Sequence, residues 1–350
     1  MKQEMPRLTI CSVYHSEATK HMLEMNAEFI AAMNPGVSWI HLAVNNSREQ
    51  SVHTTHHLLR ELPGATIPAH APARGFQGFH EGAGMNIALK HIQTRFALFL
   101  DYDFFVVRPH WIADTLSHME KRSLALLGAP YHPKYWVKFR YFPAHYCLFV
   151  DRDKIGKEFL AWDFMPQYSP EHLTNTAAAE DRKIAWRSAH PGPPSWLRRF
   201  FESIKKRRYL GTSKDVCYDL YRRYHANPTI TYEYFQAAAV THDFLCHYYL
   251  PHRWYPLLFW IERLIPNRWS FVPKQDLFTL NHFKDLGFFD VAGSGMEEYF
   301  WQGAPLGFHV RGFKERLFAA SGATFDPEEK MRTIRDAVKN FSQRASRTNH

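Results

Sequence analysis

The sequence predicts an α/β fold in which a mostly parallel sheet is flanked by helices. Short apolar runs alternate with stretches of helical periodicity through the first third of the chain. Such runs are typical of strands that are buried on both faces of a parallel sheet. With 350 residues, 45% of them hydrophobic, the chain can bury a large core, either in one big α/β domain or in two tightly joined lobes.

The apolar and periodic segments define the order of the predicted elements. The first third reads as a strand at Leu8–Tyr14, a helix from about Met22 to Ala32, a strand at Ser38–Val44, a glycine-containing segment over 75–84, a helix over Met85–Ile92 and a strand at Phe96–Leu100. A helix near Trp111–Arg122 and strands at Ser123–Ala129 and Tyr146–Val150 follow. Each early strand ends in polar residues. Because ligands of open α/β sheets bind outside the carboxyl ends of the strands, these polar ends should share one crevice.

Periodicity weakens after residue 151, and aromatic residues become frequent there. We therefore divide the chain into a first half at 1–135 and a second half at 136–330. A tail is expected at 331–350. The second half carries a basic, amphipathic and aromatic-rich insertion near 195–270.

Two carboxylates follow the most apolar strand, in the triplet Asp101-Tyr102-Asp103. At i and i+2 of an extended segment they should point the same way, at the edge of the crevice. Paired carboxylates suit Mg²⁺ or Mn²⁺, ions that also take oxygen ligands from a diphosphate. Such an ion would neutralise a leaving diphosphate. The plain alternative is a solvated acidic strand end.

The order of these features resembles that of the GT-A glycosyltransferases, especially the family-2-like enzymes, over roughly residues 8–110. Those enzymes begin with a strand and polar turn, matched by Thr9–Ser16, and their second strand ends in acidic or amide residues, matched by Val44–Ser47. A Gly-containing segment then leads into a helix bearing Asn, matched by Gly78–Ala88. An apolar strand finally runs into Asp-x-Asp, matched by Phe96–Asp103. The resemblance implies a Rossmann-like GT-A sheet, a first half (1–135) that binds the nucleotide sugar and a helical, aromatic second half (136–330) that binds the acceptor.

The resemblance also implies roles for the matching residues. The donor would be a nucleotide diphosphate sugar, most simply a UDP sugar, bound by Tyr14, Asn45, His80, Glu81, Asn86 and Asp101. The metal, Mn²⁺ or Mg²⁺, would be held by Asp103 and by Asp101, which is alternatively a ribose ligand. Asn45-Asn46 stands where the family often carries an Asp that pairs with uracil. The identity of the base therefore stays open.

An inverting transfer needs a general base that deprotonates the acceptor hydroxyl. The enzymes that this chain resembles place that base in a motif containing Glu-Asp, matched here by Ala179-Glu180-Asp181. Asp181 is then the expected base and Glu180 an acceptor-binding neighbour. Glu297-Glu298 is a rival pair, Asp243 a weaker choice, and plain helix capping the structural alternative.

A late His often completes the metal site in GT-A enzymes, and His309 resembles it. An imidazole joins carboxylates on Mn²⁺ more readily than on Mg²⁺. Arg311 follows, and its guanidinium can bind a diphosphate bidentately. The chain contains 22 histidines, so position in the motif, rather than residue type, supports His309.

Charge and hydropathy give weaker indications. The net charge of +9 suits an anionic partner, and the basic amphipathic stretch 196–210 fits either an anionic membrane surface or a solvated helix face. No apolar run reaches the ~18 residues that a bilayer span needs, so we expect a cytoplasmic protein, with peripheral membrane contact as an option. No nucleic-acid motif accompanies the charge.

The predicted function is transfer of a sugar from a nucleotide diphosphate to a glycan or lipid-linked hydroxyl, as in polysaccharide biosynthesis. A nucleotidyltransferase is the first alternative, although such enzymes usually carry a Gly-rich basic loop after the first strand, where this chain has His15-Ser16-Glu17-Ala18. A non-catalytic carbohydrate- or membrane-binding module on the same scaffold is the second.

Overall fold

The computed structural model describes residues 5–47, 51–64, 77–131, 142–155, 216–238, 278–279, 281–310 and 327–348. Within these ranges the strands are β1 Leu8–Tyr14, β2 Trp39–Asn45, β3 Arg60–Pro63, β4 Phe96–Leu100, β5 Phe104–Val106, β6 Leu126–Pro130, β7 Pro143–Asp151, β8 Tyr232–Tyr234, β9 Gln236–Ala238, β10 Phe278–Thr279, β11 Glu297–Trp301 and β12 Ala304–His309. The helices are α1 Glu17–Met33, α2 Gln77–Leu89, α3 Trp111–Arg122, α4 Tyr218–Tyr224 and α5 Pro327–Thr348, with a short 3-10 helix at Phe283–Leu286.

The larger sheet has seven strands in the order β3-β2-β1-β4-β7-β6-β8. Strands β3, β2, β1 and β4 are parallel to one another, as their apolar runs predict. Strand β7 is antiparallel to both of its neighbours, a direction that the sequence did not indicate. Antiparallel neighbours need no crossover helix, and β6 and β7 are consecutive among the described strands. The predicted mixed α/β fold with a mostly parallel sheet is confirmed.

Helices cover both faces of the parallel strands. Successive residues of a strand point to opposite faces, and on β1 Tyr14 packs with Leu23 of α1, whereas Val13 contacts α2 near Gly84. Helix α1 begins at a capping box built by Ser16 and Thr19. These contacts fix both helices against the end of β1 where the polar residues begin.

The smaller sheet has the order β10-β9-β11-β12-β5. Strand β5 starts directly after Asp103 and pairs antiparallel with β12, so that Phe104 lies opposite His309. Helix α5 packs on this sheet through Phe341, whose ring contacts Phe308 and Phe283. The small sheet therefore brings the late His motif back to the carboxyl end of β4.

The helix predicted over Met85–Ile92 begins earlier, at Gln77, so the glycine-containing segment before Met85 is helical from that residue on. Gly84 is needed for packing: a Cβ there would lie 2.8 Å from both methyl groups of Val13 and 2.9 Å from Nδ2 of Asn46. The missing side chain lets α2 approach the ends of β1 and β2.

None of the described helices combines the length and apolar character that crossing a bilayer requires.

Substituting Gly84→Ala is expected to destabilise the protein by about 1–3 kcal/mol, the usual range for overpacking a tight contact. The better helix propensity of Ala, worth about 1 kcal/mol, offsets only part of this loss. Denaturant unfolding of the variant measures it. Combining Gly84→Ala with Val13→Ala frees the space and should recover part of the stability; a double variant less stable than the sum of both losses would contradict this contact.

Candidate metal and nucleotide site

The carboxyl end of β4 turns sharply into β5 and carries both predicted acidic residues. The amide of Phe104 donates to the carbonyl of Asp101 at 3.0 Å, which closes a turn over residues 101–104. The expectation of an extended Asp-x-Asp segment was therefore wrong. The turn nevertheless brings the two carboxylates together, because it folds Asp103 back towards Asp101.

Several hydrogen bonds hold this turn in place. The side-chain amide of Asn26 on α1 donates to the carbonyl oxygens of Phe104 at 2.9 Å and of Tyr102 at 3.3 Å. The backbone amide of Val310 donates to the carbonyl of Asp103 at 2.9 Å. Helix α1 and strand β12 thus fix the acidic turn from two sides, which limits how far the carboxylates can move.

The last residue of β4 is fixed to β1 by a buried polar pair. The hydroxyl of Ser12 donates to the carbonyl of Leu100 at 2.7 Å, so it accepts from Nε2 of His41, 2.9 Å away. Burial, and to a smaller extent the charge of His56, lowers the pKa of His41 to about 3. His41 is consequently a neutral structural residue, and its hydrogen bond helps to set the position from which Asp101 projects.

Asp101, Asp103 and His309 form one cluster in which all the potential ligand atoms lie within 4.8 Å of one another. Nε2 of His309 lies 3.0 Å from Oδ1 of Asp103 and 3.7 Å from Oδ2 of Asp101. Two carboxylates and one imidazole are a donor set that fits Mn²⁺ well and Mg²⁺ less well. The three residues of the predicted metal site thus come together, although 206 positions separate Asp103 from His309.

A second group shares Asp101 with this cluster. Ligand atoms of Glu81, Asp101 and His145 also lie within 4.8 Å of one another, with Oε1 of Glu81 3.2 Å from Nε2 of His145. Burial and the neighbouring carboxylate of Glu81 raise the pKa of Asp101 well above its ordinary value. Carboxylates this close repel one another when ionised, and a divalent cation offsets that repulsion. Sequence reasoning missed His145, which no local motif marks.

The ends of β1, β2 and β3 form a polar cluster of their own. Tyr14 and Asn45 are paired in register, as the predicted crevice requires. The hydroxyl of Tyr14 donates to Glu61, which also accepts from the backbone amide of Thr54 at 2.7 Å and contacts Nδ1 of His53 at 2.7 Å. Burial and this carboxylate raise the pKa of Tyr14. Glu61 was not predicted, because a single acidic residue in a short strand carries no pattern.

Two other predicted donor-binding residues lie on α2 or near its start. The side-chain oxygen of Asn86 is buried and has no hydrogen-bond partner among the residues that the structure describes, so it is available to a ligand. The side chain of His80 lies outside the described part of the chain. Near the crevice, the rings of His15 and Tyr102 meet edge to face at 5.7 Å, which joins the end of β1 to the acidic turn.

The predicted acceptor-side residues divide between described and undescribed segments. Glu180, Asp181, Asp243, Arg311 and the basic stretch 196–210 lie outside the described residues. The rival acids Glu297 and Glu298 are described, and both are buried on β11. Neighbouring positions of a strand face opposite ways, and these two carboxylates contact different histidines: Oε2 of Glu297 lies 3.6 Å from Nδ1 of His309, and Oε2 of Glu298 lies 2.8 Å from Nδ1 of His282.

The fold and the site together define an α/β protein with a carboxylate–imidazole cluster that could hold a metal ion at the carboxyl edge of parallel strands. No protein-family model matches the sequence, and no curated protein matches it. Among solved structures, residues 1–349 of S. aureus TarS match with a TM-score of 0.33 and 14% identity, over 48% of this chain and 53% of that one.

Two further solved structures match at a similar level. The mannosyltransferase PcManGT from Pyrobaculum calidifontis, in complex with GDP-Man and Mn²⁺, gives a TM-score of 0.32 and 13% identity over 49% of this chain and 50% of that one. The galactosyltransferase LgtC, in complex with donor and acceptor sugar analogues, gives a TM-score of 0.29 and 15% identity over 48% of this chain and 69% of that one. This chain spans about half the length of TarS 1–349 and PcManGT. Likeness at this level identifies no activity, so we infer function from the geometry of the site.

Proposed function

We propose that this protein is a metal-dependent glycosyltransferase that moves a sugar from a nucleotide diphosphate sugar to a hydroxyl of a glycan or lipid-linked acceptor. One observation carries the proposal: Asp101, Asp103 and His309 meet where β4 ends, beside the carboxyl ends of β1 and β2. Ligands of open α/β sheets bind at this edge. A cation held there would lie next to any nucleotide that occupied the crevice.

The residues of the cluster would hold Mn²⁺ in preference to Mg²⁺, because one of the three ligands is an imidazole. When bound, the ion supplies positive charge that offsets the negative charge of a leaving diphosphate. Asp103 is the firmer ligand, since it lies closest to His309. Asp101 serves both the metal and the neighbouring Glu81, with which it forms the second group.

The donor nucleotide would lie between α2 and the ends of β1 and β2. Its base would contact Tyr14 and Asn45, which requires these side chains to exchange their present internal partners for the ligand. Asn86 would donate or accept through an amide whose oxygen is buried without a partner among the described residues. We propose a UDP sugar as the donor, with Glu81 and His80 near the ribose or phosphate and Arg311 at the diphosphate.

Asp181, assisted by Glu180, remains the proposed general base that deprotonates the acceptor hydroxyl. The family resemblance supports this choice, and the burial of the rival acids Glu297 and Glu298 makes them less suitable. Glu297 and Glu298 are almost fully buried, and each faces a histidine. A general base must reach the acceptor hydroxyl directly or through one water. Burial in the small sheet makes both rivals poorly suited to that task. Three further predictions remain. They are inversion of the anomeric configuration of the sugar, a cytoplasmic location, and peripheral contact of the 195–270 region with an anionic membrane.

Thermal unfolding with a panel of nucleotide diphosphate sugars, with and without Mn²⁺, tests the proposal. UDP sugars are expected to raise the melting temperature only when Mn²⁺ is present, because the carboxylates and the diphosphate are both negative and a bound cation would offset their repulsion. GDP sugars serve as the matched comparison for the base. Stabilisation by nucleotide triphosphates with release of pyrophosphate would indicate a nucleotidyltransferase instead. No metal-dependent stabilisation by any member of the panel would leave only a non-catalytic module.

A further inference from the structure

A chain of buried polar groups continues behind His309, on the side away from the acidic turn. Nε2 of the imidazole faces Asp103, and Nδ1 faces Oε2 of Glu297 at 3.6 Å. The hydroxyl of Tyr299 donates to the same carboxylate oxygen at 3.1 Å and lies 3.0 Å from the hydroxyl of Tyr146. The Tyr146 hydroxyl in turn donates to the carbonyl of Pro130.

We propose that Glu297 is a positioning residue of the metal site, and this inference rests on the proposed function. Its carboxylate would fix the imidazole of His309 with the proton on Nδ1, so that the unprotonated Nε2 would bind the cation in place of its direct contact with Asp103. Metal-binding histidines usually present their second ring N–H to a carboxylate or carbonyl, which sets the tautomer and makes the ligand more basic. Glu297 thus acts through His309 and not on the substrate.

The surroundings of the imidazole support this assignment. The ring of His309 lies 4.7 Å from the ring of Tyr146 and 5.6 Å from that of Phe104, and its side chain is 3% exposed. Electrostatic interactions are stronger in such a dry setting than in water. At 3.6 Å the contact between Nδ1 of His309 and Oε2 of Glu297 is longer than a hydrogen bond. Nε2 contacts Asp103 directly, at 3.0 Å. With a cation on Nε2, the proton of the neutral imidazole would lie on Nδ1, where it would face the carboxylate of Glu297 that Tyr299 holds.

Glu298 lies on the same strand as Glu297, but its carboxylate has a structural role. It contacts His282 at 2.8 Å and accepts from the backbone amides of Phe283 and Ala292 at 3.3 Å each. These contacts tie the 282–292 segment to β11. Burial raises the pKa of Glu298 despite them. Because Glu298 is as buried as Glu297 but faces away from His309, it provides a matched control.

The test compares Glu297→Gln with Glu298→Gln by titration with Mn²⁺ alone, followed by electron paramagnetic resonance. Glu297→Gln keeps the shape of the side chain but removes its charge, and Mn²⁺ affinity should fall roughly 10- to 100-fold, the usual effect of losing such a partner. Glu298→Gln should bind Mn²⁺ like the wild type. With Co²⁺ as a probe, only Glu297→Gln should change the visible absorption spectrum of the bound ion.

The outcomes separate this inference from the proposed function. Wild-type Mn²⁺ affinity in Glu297→Gln, or equal weakening in both variants, would overturn the role of Glu297 while leaving the metal site intact. Failure of the wild type to bind Mn²⁺ would overturn the metal site itself and the role of Glu297 with it. If Glu297→Gln does not fold, Tyr299→Phe replaces it, and wild-type affinity in that variant would equally overturn the role.

Discussion

Replacing Asp103 with Asn is expected to lower metal-dependent turnover of the sugar donor by roughly 10³-fold while the protein stays folded. The substitution removes one of the two negative charges in the ligand cluster but keeps the side-chain shape. Metal stabilisation of a leaving group is worth several kcal/mol, and about 4 kcal/mol corresponds to that factor in rate. Asn also relieves the repulsion between residues 101 and 103, so the fold should tolerate the change.

Initial rates of donor hydrolysis or transfer at saturating Mn²⁺ measure this effect, with circular dichroism as a check of folding. Asp114→Asn is the matched control, because Asp114 lies on α3, is 43% exposed and pairs with Arg108. The control should retain the wild-type rate, since exposed ion pairs contribute little. Full activity in Asp103→Asn would remove Asp103 from the site and with it the proposed metal chemistry.

Replacing Phe105 with Ala is expected to reduce the free energy of unfolding by about 3–5 kcal/mol, the range for a fully buried Phe. Phe105 is completely buried. Its ring stacks on that of Phe308 of β12, with the centroids 5.2 Å apart, and its centroid lies 6.2 Å from that of Phe29 of α1. It therefore joins the small sheet to the helix that covers the large one. Loss of the ring leaves a cavity between elements that cannot easily close.

Denaturant unfolding of Phe105→Ala beside Phe105→Leu measures this effect, because Leu fills part of the same space and should cost less. Phe105 points away from the acidic turn, and its neighbour Phe104 contacts His309 instead. Mn²⁺ affinity of the folded Phe105→Leu variant should therefore stay near that of the wild type. Equal stability of the Ala variant and the wild type would show that Phe105 does not stabilise the packing of the small sheet on α1.

The parts of the fold that local patterns specify were predicted well. Strand β4 is a continuous apolar run and β1 a run of β-forming residues, and both agree with the structure. The pattern of α1 ends at Asn34 as predicted, but the helix begins at Glu17, before the first residue of that pattern. The direction of β7 could not be predicted, because an apolar strand carries no mark of which neighbour it will pair with. The glycines of α2 were misread because packing against Val13 outweighs their low helix propensity.

The site shows the same division between local and long-range information. Asp101 and Asp103 could be found from one short motif, and His309 was added only because its motif resembles that of a family. The roles of His145, Glu61 and Glu297 depend on which strands become neighbours. Each is a single residue whose surroundings arise from distant segments, so no spacing in the sequence indicates it.

The most direct measurement of the proposed metal centre is the anomalous X-ray scattering of Mn²⁺ in crystals grown with the ion and UDP. We predict one strong peak in direct contact with carboxylate oxygens of Asp101 and Asp103 and with Nε2 of His309. UDP density should reach the same ion. A peak bound elsewhere, with these three side chains contacting one another as they do now, would contradict the metal site on which the proposed function rests.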